Sequence, residues 1–230
     1  MKTLGLIGGI TWLSTVEYYR GLNEVVSRRA GGTHYPKLAM YSLDFGEVRA
    51  YTQRNDWDGF LELAWGVARH LRDAGAQGLL LCANTAHIVA DRLQARIGLP
   101  VINIVDATAR AINAAGVDTV ALLGTRFTME MDFFRERLEE NGVTALIPEE
   151  DDRAFIHASI FDELSRGEFR PETKQRYLRI IEGLRARGVA GVILGCTEIP
   201  LIVKPADVAL PLFDTTLIHV DAAADFILAD

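Results

Sequence analysis

Cysteine is scarce in this chain: Cys82 and Cys196 are all there is, and they lie far apart. That excludes the disulfide framework on which small secreted domains depend and leaves two free thiols. No apolar run reaches the length that crosses a bilayer. The start, Met1-Lys2-Thr3, enters apolar residues directly, with neither a charged leader region nor a small-residue cleavage site, and reads against a signal peptide. The expected location is cytoplasmic. Positive charge is not in excess: 24 Lys and Arg stand against 31 Asp and Glu, a net charge of -7. With no basic stripe, neither nucleic acid nor a membrane surface is an expected partner. The acidic runs Glu139-Glu140 and Glu149 to Asp152 read as solvated surface. No His/Cys/Asp/Glu group has metal-ligand spacing, and no Walker loop or Ser-His-Asp pattern appears.

What the chain has is apolar residue in quantity, 49% over 230 residues, enough to bury a core as one domain or two lobes. Short apolar runs alternate with helix-like stretches, which predicts βα units around parallel sheets. The predicted strands are residues 3–7, 38–42, 78–81, 101–104, 120–123, 191–194 and 209–213. Their near-continuous apolar character fits strands covered on both faces. Helices are predicted over 15–29, with Ser14 as cap, and over 58–74, 130–140, 153–165, 172–187 and 215–228. Pro171 suits the first position of the fifth.

Three segments recur in order. Thr3-Leu4-Gly5-Leu6-Ile7-Gly8-Gly9 matches Thr119-Val120-Ala121-Leu122-Leu123-Gly124-Thr125. Gly78-Leu79-Leu80-Leu81-Cys82-Ala83-Asn84 matches Gly191-Val192-Ile193-Leu194-Gly195-Cys196-Thr197. Ile104-Val105-Asp106-Ala107-Thr108 matches Leu212-Phe213-Asp214-Thr215-Thr216. The chain is therefore expected to be α/β with two pseudo-symmetric lobes, each a parallel sheet flanked by helices, and an active site in the cleft where they face. The expected lobes are 1–104 with 215–230, and 105–214. Spacing from Gly78 and Gly191 pairs Cys196 with Ala83, not with Cys82.

Ligands of parallel α/β sheets gather beyond the carboxyl ends of the strands. That rule selects Gly8 to Thr15, Cys82 to His87, Gly124 to Thr128, Gly195 to Glu198 and the loops after Asp106 and Asp214. Gly5-x-x-Gly8-Gly9 lacks the remaining glycine of a dinucleotide loop and reads either as a tight turn or as a small-anion cradle. Cys196, beside Gly195 and before Thr197-Glu198, sits where helix-start N–H groups would favour a thiolate, a base or nucleophile near neutral pH. The plainer alternative is a buried structural cysteine. Asn84 and Thr85 offer uncharged hydrogen-bonding groups for a polar substrate, or simply cap a helix. His87, a turn later, orients a partner or packs. Arg49 and Arg166 can each meet a carboxylate bidentately, or lie free on the surface.

Four motifs together resemble the aspartate/glutamate racemase family, the cofactor-independent amino-acid racemases of the Asp/Glu/hydantoin racemase superfamily. They are Gly8-Gly9-Ile10-Thr11-Trp12-Leu13-Ser14-Thr15, Asn84-Thr85-Ala86-His87, Gly124-Thr125-Arg126-Phe127-Thr128-Met129 and Gly195-Cys196-Thr197-Glu198. The likeness runs through the chain in order. It implies two lobes, no pyridoxal phosphate or other cofactor, an amino-acid substrate, a homodimer, and two side chains flanking the substrate Cα. Cys196 matches one of these; the other falls on Ala83, where the family has cysteine or threonine. Cys82 is one residue early, and its side chain should point to the opposite face unless a bulge turns it.

Three readings of Ala83 stand: a substitute proton carrier such as water or a hydroxyl, a one-sided reaction like that of single-cysteine decarboxylases, or an engineered replacement that traps a substrate complex. A dicarboxylate or amino-acid binding protein with vestigial chemistry is the alternative of a different class. The resemblance also places Thr11, Ser14, Arg49, Thr52, Asn84, Thr85, Thr125, Thr128, Arg166, Thr197 and Glu198 around the substrate. Arg49 sits near a family arginine. Arg166 takes a position often lysine, and Thr52 one often glutamine.

Overall fold

A computed structural model describes residues 1–229. The chain forms two compact units: Met1–Asn103 together with the chain from His219 onward, and Ile104–Ile218. Residue 104 and residues 215–218, expected in the first lobe, group with the second unit.

The first unit contains β1 (Thr3–Gly8), α1 (Trp12–Arg29), β2 (Lys37–Ser42), α2 (Phe45–Gln53), α3 (Trp57–Asp73), β3 (Gly78–Leu81) and α4 (Ala90–Ile97). Its strands are parallel in the order β2-β1-β3. The second contains α5 (Ile104–Ala114), β4 (Thr119–Gly124), α6 (Arg126–Glu130), α7 (Asp132–Glu140), β5 (Thr144–Leu146), α8 (Glu150–Asp162), α9 (Pro171–Ala186), β6 (Gly191–Gly195), α10 (Ile199–Ile202) and β7 (Leu212–Asp214). Its four strands are parallel in the order β5-β4-β6-β7. The last helix, α11 (Thr215–Leu228), begins in the second unit and ends in the first.

Alternation along β3 decides which way each side chain faces. Leu79 and Leu81 belong to the core on the α3–α4 side, and Ala83 packs against it. Leu80 and Cys82 belong to the opposite core, with Tyr18, Leu22 and Val26 of α1 and Val220 of α11. The second unit repeats the arrangement: Val192 and Leu194 join one core, with Cys196 packed on it, and Ile193 joins the other. Each fully buried leucine or isoleucine contributes about 1.5–3 kcal/mol. Those contributions fix which face of each strand is buried, while the backbone ladder sets the register.

The registers of the two sheets coincide. Leu4 pairs with Gly78, and Val120 pairs with Gly191. Counting along each strand pairs Cys196 with Ala83 by hydrogen-bonded geometry alone. The third repeat, however, is displaced by three residues. Leu79 N–H donates to the Pro100 carbonyl at 2.8 Å, and Val192 N–H donates to that of Pro211 at 2.9 Å. Pro100 therefore matches Pro211, and Asn103 rather than Asp106 matches Asp214. Ile104-Val105-Asp106 is the first turn of α5, not a strand end. Val101 makes only an isolated parallel bridge to Leu79. A pair of apolar residues before an acid is too common a pattern to fix register. The sequence reading also gave no range to α2, α4, α5, α6, α10 or the three-residue β5, most of them too short to carry much periodicity.

Candidate active site

In the first unit, β1 ends in the Gly8-Gly9 turn. Gly9 has φ +78°, and a Cβ there would lie 2.1 Å from the Leu43 carbonyl oxygen. Only glycine allows that approach. The Gly9 N–H donates to Thr15 Oγ1 at 2.9 Å, and the Thr15 hydroxyl donates to the Thr11 carbonyl at 2.9 Å. Thr11, not Ser14, caps α1: its side chain accepts from the Ser14 N–H at 3.3 Å. The helix starts three residues earlier than expected because the threonine hydroxyl is the first group able to take an orphan N–H.

β3 runs into Cys82, Ala83 and a 3-10 turn over Thr85–Val89. Cys82 is fully buried; its N–H donates to the Ile7 carbonyl at 3.0 Å, and burial pushes its thiol far up. A desolvated thiol on the far face of the strand, packed in the α1–α11 core, supports the reading of Cys82 as a core thiol rather than a proton carrier. Ala83 is half-buried on the other face, and Asn84 is buried. Arg49 and Thr52 lie on α2; Arg49 is exposed, and the Thr52 hydroxyl donates to the Arg49 carbonyl at 3.2 Å.

In the second unit, β4 and β6 end side by side at Gly124 and Gly195. A Cβ on Gly195 would meet the Leu123 carbonyl oxygen at 2.8 Å, and one on Gly124 would meet the Gly195 oxygen at 3.0 Å. The paired glycines let the fully buried Thr128 pack against both strand ends. Thr125 and Thr128 place their hydroxyls 3.4 Å apart. Cys196 follows directly and is half-buried. Its thiol donates to Glu198 Oε2 at 2.8 Å, and the Thr197 hydroxyl donates to the same oxygen at 2.7 Å. Glu198 is only 5% exposed.

The expected bias toward thiolate is therefore outweighed. Burial and then the Glu198 charge hold the Cys196 thiol well above its ordinary value, while the backbone N–H groups of Glu198 and Thr197 pull the other way. Those two amides serve the sulfur. Behind them the buried Tyr177 hydroxyl lies 3.0 Å from Ser159 Oγ, which itself donates to the Ile156 carbonyl at 2.9 Å, so Tyr177 donates to Ser159. Arg166 is exposed, with Asp162 at 4.0 Å.

The model of the Asp/Glu/Hydantoin racemase family matches residues 7–223. The chain belongs to that family. A crystal structure of a candidate Asp/Glu racemase from Yersinia pestis is 44% identical over the whole of both chains, with a TM-score of 0.95. An aspartate racemase homologue from Pyrococcus horikoshii is 36% identical, again over the whole of both chains, with a TM-score of 0.89. A glutamate racemase from Synechococcus is 27% identical over 155 residues, 67% of this chain. That match spans 56% of the Synechococcus protein's length.

Within this racemase-family chain the strand-end residues fall into two sets, one in each unit. Thr11, Ser14, Asn84 and Thr85 belong to the first, and Thr125, Thr128, Cys196, Thr197 and Glu198 to the second. Arg49 and Thr52 on α2, and Arg166 in a 3-10 turn after α8, lie on other elements than the strand ends. A surface concavity on α3 and α4 is lined by Asp58, Glu62, Arg92 and Arg96. Its charges pair with each other, Arg92 with Asp58 at 2.6 Å, and it includes none of the strand-end residues. Among the described residues no group of three or more His, Cys, Asp or Glu side chains is arranged to hold a metal ion. No described helix is long and apolar enough to cross a membrane.

Sequence reasoning missed the pairing of Glu198 with the thiol, giving Glu198 only to the substrate. It also missed His219 and Tyr18 altogether. A histidine inside the apolar stretch of α11 was the available signal.

Proposed function

We propose that this chain is an amino-acid racemase acting on aspartate, glutamate or a related polar amino acid, with Cys196 as its acid/base. One observation carries the reading: the Cys196 thiol at the end of β6 hands its hydrogen bond to a buried carboxylate, Glu198, at 2.8 Å. A thiol held up by burial is a poor base alone. Beside a carboxylate acceptor it can pass its proton to Glu198, become thiolate, and take the Cα proton. In the return direction the thiol donates to the Cα carbanion and is reprotonated by Glu198. The Thr197 and Glu198 N–H groups stabilise the sulfur anion while it lasts.

Residue 83 is where the family resemblance puts the opposing acid/base, and alanine has no proton to exchange. In this proposal the opposite face is served by water or a hydroxyl. Asn84, Thr85, Thr125, Thr128 and Thr197 hold the ammonium and α-carboxylate, with Thr11 and Ser14 at the glycine turn. Arg49 and Arg166 supply cations for carboxylates, and Thr52 tunes side-chain selectivity. The aspartate and glutamate racemase names of the relatives support this substrate class. No cofactor is invoked. A homodimer in the cytoplasm completes the proposal, and sedimentation equilibrium checks the first part.

Ala83 itself favours a second reading: one-sided exchange, in which Cys196 removes and returns the proton of one enantiomer faster than it inverts the centre. The deciding experiment incubates each L- and D-amino acid in D2O, follows chirality by chromatography and measures Cα deuterium in parallel. Inversion with deuterium uptake supports racemisation, and uptake with retention supports one-sided exchange. Binding without either leaves an amino-acid or dicarboxylate binding protein. Carbon dioxide release from a malonate analogue identifies a single-cysteine decarboxylase.

A further inference from the structure

The first unit buries a cluster of hydrogen-bonded side chains that the proposed chemistry does not use. His219 is fully buried on α11, and both its ring nitrogens are engaged. Nε2 lies 2.7 Å from the Ile102 carbonyl, and Nδ1 lies 2.9 Å from the Tyr18 hydroxyl. A carbonyl only accepts, so Nε2 carries the proton. Burial first, and then His87, hold the ring well below its ordinary value and hence neutral. Nδ1 is then a lone-pair acceptor, and Tyr18 donates to it.

The His87 ring stands edge-on to His219, centroids 5.2 Å apart at 67°. His87 Nδ1 lies 3.0 Å from the Ala83 carbonyl and must likewise donate. Two hydrogen-bonded pieces, Tyr18–His219–Ile102 and His87–Ala83, therefore meet at this ring contact. Exposures are 1% for Tyr18, 0% for His219 and 4% for His87.

Apolar side chains would fill the same volume with no need of partners. The Tyr18 hydroxyl and both nitrogens of His219 are hydrogen-bonded, and His87 is held through Nδ1, so those bonds favour one arrangement of the three buried side chains. One end of that arrangement is the Ala83 carbonyl, which precedes Asn84 and Thr85. We propose that His87 and His219 are positioning residues: braced by Tyr18 and Ile102, they fix the Ala83 carbonyl and so hold the Asn84-Thr85 turn in its substrate-binding geometry. The inference rests on the racemase reading for its functional half only; the restraint on the turn is independent of it.

The test compares His87→Leu, His87→Asn and Tyr18→Phe. The asparagine amide nitrogen can occupy the Nδ1 position and donate to the Ala83 carbonyl; leucine cannot. Three quantities are read: kcat/KM for the amino acid the wild type turns over, amide hydrogen exchange at residues 84–87, and the pH profile of Cys196 alkylation. His87→Leu is expected to lower kcat/KM roughly 10- to 100-fold, mostly in kcat, as misplacement of transition-state donors does. It also speeds amide exchange at 84–87 and leaves the Cys196 profile unmoved. His87→Asn recovers activity and protection to within about threefold, as retention of a single hydrogen bond predicts. Tyr18→Phe shifts both readouts the same way by a smaller factor.

Wild-type kcat/KM and wild-type amide protection in His87→Leu would overturn the proposal, as would His87→Asn behaving like His87→Leu. If the wild type turns over no amino acid, the racemase reading fails, and the amide exchange still decides the restraint: unchanged protection in His87→Leu refutes it, and loss restored by asparagine upholds it. Should His87→Leu not fold, Tyr18→Phe, which removes one hydroxyl from an intact ring, carries the same comparison.

Discussion

After β3, residue 83 is an alanine whose carbonyl accepts from His87 Nδ1 at 3.0 Å; after β6, the matched residue is Cys196, whose thiol donates to Glu198 at 2.8 Å. The strands that deliver them share one register, Leu4 with Gly78 and Val120 with Gly191. Counting on, Thr85 is the counterpart of Glu198. One turn therefore has a thiol and a carboxylate that accepts from it at the matched positions, and the other has an alanine and a threonine there. The first turn instead accepts from one imidazole, His87, at the Ala83 carbonyl. The matched register supplies two equivalent positions, and only one carries a thiol beside a carboxylate. The chemical asymmetry lies in two side chains, not in the fold.

The largest effect is expected at the thiol-bearing turn. Cys196→Ser keeps the shape but replaces the thiol with a group far less acidic. It should reduce Cα deuterium exchange by about a thousandfold or more. Full exchange in that variant would remove Cys196 from the chemistry. Glu198→Gln is next, with an expected loss of about a hundredfold. It also makes a prediction of sign. The Glu198 charge holds the thiol up, so neutralising it must move the onset of Cys196 alkylation to lower pH, while turnover falls. A variant with an easier thiolate and a slower reaction separates Glu198 as proton acceptor from Glu198 as packing. An alkylation profile that stays in place would mean that burial alone sets the thiol.

The alanine-bearing turn can be rebuilt. Ala83→Cys puts a thiol at the register position of Cys196, on the same face of the strand, and should raise inversion relative to retained exchange by roughly tenfold. Because Thr85 cannot take up a proton at neutral pH, the double variant Ala83→Cys with Thr85→Glu should exceed the single one. Equal ratios of inversion to exchange in wild type and both variants would show that the opposite face is served by a group elsewhere.

The parts of this comparison differ in how far sequence reached them. Strands β1, β3, β4 and β6 are continuous apolar runs buried on both faces, so their repeat is visible as letters, and fixed spacing gave the Ala83–Cys196 match. The third repeat misled because Ile104-Val105-Asp106 and Leu212-Phe213-Asp214 look alike while one starts a helix and the other ends a strand. The proline carbonyls at 100 and 211 carry the true register, and backbone hydrogen bonds leave no trace in composition. Glu198 was visible as a motif letter, but its aim at the sulfur depends on a side-chain rotamer. Tyr18 and His219 are 201 residues apart, and only the packing of α1 against α11 brings them together.

The smallest effect sharpens the comparison from the silent side. Cys82 is matched to Gly195, sits fully buried among Leu4, Leu6, Leu80 and Tyr18, and has a thiol pushed far up by burial. If alternation along β3 holds to its end, Cys82 faces the α1–α11 core while Ala83 faces the other way. Cys82→Ala then removes one buried sulfur and leaves a small void, costing about 1–2 kcal/mol of stability, with Cα exchange within about twofold of wild type. Native alkylation should label Cys196 alone, and Cys82 only after denaturation. A Cys82→Ala variant of normal stability whose exchange fell by the factor expected of Cys196→Ser would mean that β3 twists at its last residue. The two turns would then no longer be equivalent, and the proton carrier of the first would be the cysteine one place before the alanine.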